Sequence, residues 1–218
     1  MPAERQVAIV TGAASGIGRA MTLGLLDGGI DVAAVDREAT WLDELKAAVA
    51  GRAGTLRPIR ADLADPASFD TIISTVLGAS GRVDILVNNA GIGQGSIRAD
   101  QRRNPLRFWE ITPEQWSRFV AVNATAPLMM ARVVVPHMLR AGRGRIVTVT
   151  TSLGTMLREG YILYGASKAA AEAATAASGT IRVSVMPPGT RTFAVTPVPA
   201  RSAAITAVAA SAAALLAP

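Results

Sequence analysis

A doubly wound α/β fold, one parallel sheet with helices on both faces, is predicted by three observations. Short β-branched apolar runs alternate with helically spaced segments four times before residue 100, as consecutive βα units do. The first run passes directly into a glycine-rich turn and a helix. The fourth ends in Asn88-Asn89-Ala90-Gly91, polar and small residues at the carboxyl edge where such sheets bind ligands.

The first unit is the most informative. Val7-Ala8-Ile9-Val10 is too short for a helix and reads as a buried strand. Thr11-Gly12-Ala13-Ala14-Ser15-Gly16-Ile17-Gly18 follows, and Arg19 to Leu26 has helical apolar spacing up to Gly28-Gly29. A strand, a glycine turn and a helix in that order form a Rossmann-type phosphate site. Glycines let a pyrophosphate approach the backbone, and the free N–H groups and dipole at the helix start hold the anion. The spacing is Gly-x-x-x-Gly-x-Gly, not the commoner Gly-x-Gly-x-x-Gly. A ligand-free glycine turn is the plain alternative.

The second strand, Asp31 to Asp36, ends in an acid about 20 residues past the loop. A carboxylate there accepts hydrogen bonds from the adenosine ribose and repels a 2′-phosphate, which favours NAD over NADP. Arg37 works in the opposite direction, because a guanidinium pairs with phosphate. The other reading makes Asp36 the N-cap of a helix carrying Trp41, Leu42 and Leu45. Leu56 to Arg60 is the third strand. Asp62, followed by Leu63, either reaches the adenine amino group or caps the helix beginning near Pro66. Val83 to Val87 is the fourth strand, and the long polar segment Ile92 to Ile111 after it has the length of a functional loop.

Thr112-Pro113-Glu114-Gln115 is a helix start with an N-cap threonine, proline at the first position and glutamine closing a capping box. The helices beyond it carry Trp116, Phe119, Leu128, Met129, Val133 and Met138, suited to packing on the sheet or on another subunit. Asn123 interrupts them. A buried asparagine must be hydrogen-bonded, so it either braces backbone or serves chemistry. Strand five runs from Arg145 to Ser152, and Tyr164-Gly165-Ala166-Ser167-Lys168 comes later. Helix positions four apart share a face. A cation near a phenol favours the phenolate and lowers its pKa from about 10, making tyrosine a general acid–base.

Composition narrows the function classes. The chain of 218 residues, half of them hydrophobic and 17% charged, suits a single domain over 1–218 and argues against disorder. There is no cysteine, which excludes disulfides and thiolate chemistry. The net charge of +6 comes from scattered arginines with little aromatic interleaving, so no nucleic-acid partner is expected. The one histidine, His137, lacks the partners that a metal site or a hydrolytic triad needs. The start leads straight into the first strand with no signal peptide, which places the protein in the cytoplasm with no membrane partner.

Taken together, Thr11–Gly18, Asn88-Asn89-Ala90-Gly91, Asn123, a strand-five hydroxyl, Tyr164 with Lys168, and Pro188-Gly189 resemble the short-chain dehydrogenase/reductase family. The likeness runs from about residue 5 to about residue 190. It implies hydride transfer between NAD(H), with NADP as the second option, and a secondary alcohol or ketone. Tyr164 would be the proton donor or acceptor, Lys168 would lower its pKa and bind the nicotinamide ribose, and Asn123 would hold a water in a proton relay. Gly12, Ser15, Gly16, Ile17 and Gly18 would hold the pyrophosphate. Asp36, Arg37, Asp62 and Leu63 would meet the adenosine, and Asn89, Ala90, Gly91, Pro188 and Gly189 the rest of the cofactor.

Three departures from the family accompany the likeness. Where the family has its catalytic serine this chain has Thr151, with Ser152 next to it, and either hydroxyl could serve. The helix begun at Tyr164 reaches Ser178-Gly179 about two turns early, near 10 Å at 1.5 Å per residue, which bears on a homodimer or homotetramer. The segment 190–218 is short and alanine-rich, with no recognisable last strand, and reads as a packed helix. These departures support a second reading, an NAD(P)-binding protein with impaired or absent catalysis. Pocket walls are expected from Gly93–Trp109 and Leu153–Ile162, with Met156, Leu157, Tyr161 and Trp109 making it apolar and Arg98 or Arg158 meeting a carboxylate.

Overall fold

The computed structural model describes residues 5–177 and the strand backbones at 182–184 and 193–197. Strands β1 (Val7–Thr11), β2 (Asp31–Asp36), β3 (Leu56–Arg60), β4 (Ile85–Asn88), β5 (Arg145–Val149), β6 (Arg182–Ser184) and β7 (Phe193–Pro197) form one sheet, ordered β3-β2-β1-β4-β5-β7-β6. The first five strands are parallel. Their order reverses between β1 and β4, which opens a crevice at the carboxyl ends of those two strands. The predicted doubly wound sheet is therefore present.

An antiparallel edge is added to it. β7 pairs antiparallel with β5, and β6 antiparallel with β7. The sequence offers no recognisable last strand after Gly189, yet β7 forms there, because strand preference depends on the pairing partner more than on the segment itself. The expected helical packing of 190–218 falls mostly on residues outside the described set.

Helices α1 (Gly16–Asp27), α2 (Ala39–Ala47), α3 (Ala67–Ser80), α4 (Pro113–Val120), α5 (Ala126–Ala141), α6 (Leu153–Met156) and α7 (Ile162–Ala177) surround the sheet. Successive strand residues point to opposite faces. Val7 and Ile9 of β1 accordingly join Ile72, Val76, Met130 and Val134 of α3 and α5. Ala8 and Val10 join Leu25, Leu26, Leu42 and Leu45 of α1 and α2. A strand buried on both faces must be apolar throughout, which is why β1 shows no alternation.

The Thr112 start is built as predicted: its hydroxyl accepts from Gln115 N–H at 3.2 Å while the Gln115 side chain accepts from Thr112 N–H at 3.1 Å. α4 runs into α5 through a π-helical turn, Ala121–Thr125. By length and composition Pro113–Ala141 could cross a membrane, but its inner face, with Phe119, Met130, Val134 and Met138, lies in the protein core. A third cluster, Leu106, Phe119 and Leu163, packs the segment after β4 against α4 and α7. That segment is consequently a wall of the crevice, with two short 3₁₀ turns, Gln94–Ser96 and Phe108–Glu110.

Candidate functional site

The glycine loop takes the geometry that its residues require. Gly12 and Gly16 have φ of 61° and 51°, a region that side chains other than glycine rarely adopt. At Gly18 a Cβ would drive into the Gly12 carbonyl and the Asn89 carboxamide. Thr11 and Asn89 then clamp the loop to β4. The Thr11 hydroxyl donates to Val87 O at 3.2 Å and accepts from the Asn89 and Ala90 N–H groups at 3.0 and 3.1 Å. Asn89 Nδ2 donates to the carbonyls of Thr11 and Gly12 at 3.0 and 3.1 Å. Asn89 thus shapes the loop, and Thr11 is a structural residue of the site that the sequence motif contains but does not explain. Replacing Gly18 with Ala should weaken NAD(P)H binding at least about tenfold and lower stability by about 1–3 kcal/mol, as overpacking does. Coenzyme fluorescence titration and thermal melting measure the two effects.

A smaller cavity of 340 Å³ opens from the loop toward the ends of β2 and β3, lined by Asp36, Arg37, Trp41, Asp62, Leu63 and Arg118 among others. Asp36 is buried, and its carboxylate accepts from Ala14 N–H at 3.0 Å and Glu38 N–H at 3.2 Å. Glu38, not Asp36, is the N-cap of α2. Arg37 lies 2.9 Å from Glu38, so its guanidinium has a local partner. Asp62 does not cap α3 either; its Oδ1 accepts from Ala64 N–H at 2.9 Å and its Oδ2 from Arg118 at 2.9 Å. Burial acts to raise the Asp62 pKa, but the Ala64 N–H and the Arg118 guanidinium outweigh it and hold the carboxyl below its usual range.

The larger cavity, 790 Å³, shares Gly12, Ser15, Ala90 and Gly91 with the smaller one and extends to Thr150, Thr151, Tyr161, Tyr164 and Lys168. The two cavities therefore adjoin at the glycine loop and the end of β4. Lys168 is 4% exposed, and its Nζ donates to Val149 O at 2.8 Å. Burial pushes its pKa from 10.5 down to about 8. Glycine at 91 makes this approach feasible, since a Cβ there would stand 3.2 Å from Asn123 Oδ1 and 3.3 Å from Lys168 Nζ. Asn123 sits in the π turn, a feature often found at functional sites. Its Oδ1 accepts from Ile92 N–H at 2.8 Å, and its Nδ2 donates to Ile92 O at 2.9 Å and Ser167 Oγ at 3.0 Å. Of the two roles left open for it, the bracing of backbone is present.

β5 ends at Val149, so the predicted strand through Ser152 is too long. Thr150 and Thr151, just past the end of β5, both line the cavity. Ser152 is the N-cap residue of α6, and its hydroxyl lies 3.1 Å from that of Thr155. The apolar wall is also different from expectation. Tyr161 lines the cavity, whereas Trp109 and Leu157 are 69% and 76% exposed. Arg98 is held by Glu110 at 2.9 Å, and Arg158 lies 5.5 Å from the Tyr161 ring centre. The arginines in the lining are instead Arg102 and Arg103, with Gln94 and Gln101 beside them. Two side-chain atoms in this lining, Gln94 Nε2 and Thr150 Oγ1, are buried without a partner among the described residues. Pro188 and Gly189 lie outside the described residues.

These features fit a dinucleotide. At Gly16, Gly93 and Gly95, which line the larger cavity, nothing lies within 4 Å of where a Cβ would stand, so backbone there is open to a ligand. The N-terminus of α1 offers N–H groups to a pyrophosphate, and the orphaned polar atoms at the far end await acceptors. Among the described residues no group of acids, histidines or cysteines could hold a metal ion.

Comparison with known proteins agrees with the geometry. A family model described as short chain dehydrogenase matches residues 6–206. D-threitol dehydrogenase of Mycolicibacterium smegmatis is 36% identical over 165 residues, covering 76% of this chain and 60% of that protein. The 3-oxoacyl-[acyl-carrier-protein] reductase FabG of Thermotoga maritima is 32% identical over 195 residues, covering 87% of this chain and 75% of that protein. A metagenomic short-chain oxidoreductase solved in complex with NADP superposes with a TM-score of 0.71 at 30% identity, over 79% of this chain and 74% of that one.

Proposed function

Because the chain belongs to the short-chain dehydrogenase family, we propose that it is an oxidoreductase interconverting a secondary alcohol and a ketone. One observation carries the reading. The glycine loop, Thr151, Tyr164 and Lys168 line a single 790 Å³ cavity, which allows a dinucleotide and a small substrate to meet. A nicotinamide ring held there would supply or accept the hydride. Gly12, Ser15, Gly16, Ile17 and Gly18 would hold the pyrophosphate side, Asp62 and Leu63 the adenine side, and Asn89, Ala90 and Gly91 the middle.

In reduction Tyr164 gives its phenolic proton to the carbonyl oxygen, and in oxidation it takes that proton back. Thr151 donates a hydrogen bond to the same oxygen, and the cavity lining favours it over Ser152. Lys168 is still largely cationic at neutral pH, with a pKa of about 8. Its charge acts from a desolvated position, where its field on the phenol is strongest. Asn123 holds Ile92 and Ser167 in place, and a relay water would rest against the wall they form.

The preferred coenzyme is NAD(H). The Asp36 carboxylate lines the adenosine cavity, and Arg37 is already paired with Glu38. A neutral Asp36→Ser variant should lower the NADH preference, measured as the ratio of NADPH to NADH dissociation constants, by at least about tenfold or 1.4 kcal/mol. An unchanged ratio would show that Asp36 does not set it. Trp116, Leu128 and Leu139, all about half exposed on α4 and α5, support a homodimer through those helices.

A further inference from the structure

We infer that the substrate is an anion, a small oxo acid or hydroxy acid whose carboxylate is received by Arg102 and Arg103 and whose position is fixed by Gln94. The inference rests on the oxidoreductase reading above and adds its substrate class. Charge is the first observation. Among the described residues three cations, Arg102, Arg103 and Lys168, line the larger cavity, against one carboxylate, Asp100. Within the same wall Arg98 is paired with Glu110 and Arg107 with Glu159. No carboxylate forms an ion pair with Arg102 or Arg103 among the described residues. The cofactor pyrophosphate has its own N–H donors at the start of α1, so these two guanidinium groups remain for the second ligand. A guanidinium fork matches a carboxylate in shape as well as charge.

Gln94 is the second, independent observation. Its Oε1 accepts from Tyr164 N–H at 3.2 Å, one of the backbone donors that the first turn of α7 leaves without a helical partner. That bond assigns the two ends of the carboxamide, so the remaining end is the donor. Gln94 is 2% exposed and lines the cavity, yet Nε2 has no partner among the described residues. A buried donor in that condition costs stability until an acceptor arrives. An oxygen of the substrate beside the reacting carbon is such an acceptor, next to the helix that carries Tyr164.

The wall that bears the arginines is fixed in place. Gln101 is buried, donates to Gly160 O at 2.7 Å and accepts from Leu106 N–H at 3.2 Å. Gly160 has φ of 75°, and a Cβ there would strike the Gln101 carboxamide. Arg102 and Arg103 follow directly from this clamp. Both are exposed, on a turn anchored through the buried hydrogen bonds of Gln101.

The test uses the full chain with reduced coenzyme and paired probes: pyruvate, acetoacetate and 4-oxopentanoate, each against its methyl ester. At one chain length or more the acid should exceed its ester in kcat/KM at least tenfold. The Arg102→Gln/Arg103→Gln double variant should abolish that preference through KM, with the coenzyme dissociation constant within twofold of the parent. Gln94→Glu keeps the acceptor for Tyr164 N–H but replaces the donor with negative charge, and should raise the acid KM at least tenfold. Reduction of esters as fast as acids overturns the inference and leaves the oxidoreductase reading standing. So does an acid preference that survives in the double variant. A loss of coenzyme affinity in the double variant overturns it as well, by assigning the arginines to the cofactor. Coenzyme binding with no reduction of either member of any pair overturns both.

Discussion

Replacing Tyr164 with Phe should lower kcat by about 10³-fold, inside the range of about 10² to 10⁴ that a positioned acid–base contributes. Coenzyme affinity should move by less than about threefold, or roughly 0.7 kcal/mol. The ring stays in the T-shaped arrangement with Tyr161, 6.5 Å between centres. Its backbone N–H keeps Gln94 Oε1 as acceptor, so the wall of the cavity is retained. The substitution removes the phenolic hydroxyl, and with it the dissociable proton. Stopped-flow reduction with a saturating ketone separates the two quantities. Turnover indifferent to the change would eliminate Tyr164 as the proton donor, and a matching loss of coenzyme affinity would make it a binding residue instead.

The parts of this site that were legible in the sequence are those written in local chemistry. A glycine spacing, a capping box and an i, i+4 tyrosine–lysine pair each lie within one turn or loop, and their geometry follows from the backbone alone. The parallel sheet was legible for a related reason, since strands covered on both faces read as unbroken apolar runs. Contacts made across long sequence separations were not. Gln94 is 70 residues from Tyr164 and Gln101 is 59 from Gly160, and neither lies in a recognisable motif. The polar segment from Ile92 to Ile111 shows four arginines of similar appearance. Only folding distinguishes Arg98, paired with Glu110, from Arg102 and Arg103, which line the cavity. Strand β7 was missed because a short run acquires its strand character from β5 beside it. The early end of β5 at Val149 has the same origin: a two-residue period continues on paper until α6 begins, and the chain leaves the sheet earlier.

Lys168→Met should lower kcat/KM by about 10² or more, because a cation acting in a desolvated site is worth several kcal/mol to a developing phenolate. Stability against pH distinguishes this electrostatic role from mere packing. In the folded protein the Lys168 pKa falls from 10.5 to about 8 because the amine is buried. Between those two values the unfolded chain binds more protons than the folded one, so stability rises with pH through that window. Below about pH 8 the folded state carries the whole cost of a desolvated ammonium, on the order of 3 kcal/mol for a shift of this size. Methionine is of similar length and carries no charge, and it leaves Val149 O without the donor that Lys168 supplies. That loss does not depend on pH. The stability of the parent relative to Lys168→Met should therefore increase from pH 8 toward pH 10.5 and stay level below it, in denaturant melts at fixed ionic strength. A flat difference across the window would mean that the amine is hydrated in the folded protein. Its action on the Tyr164 phenol would then be screened, and the catalytic loss in the variant should shrink with it.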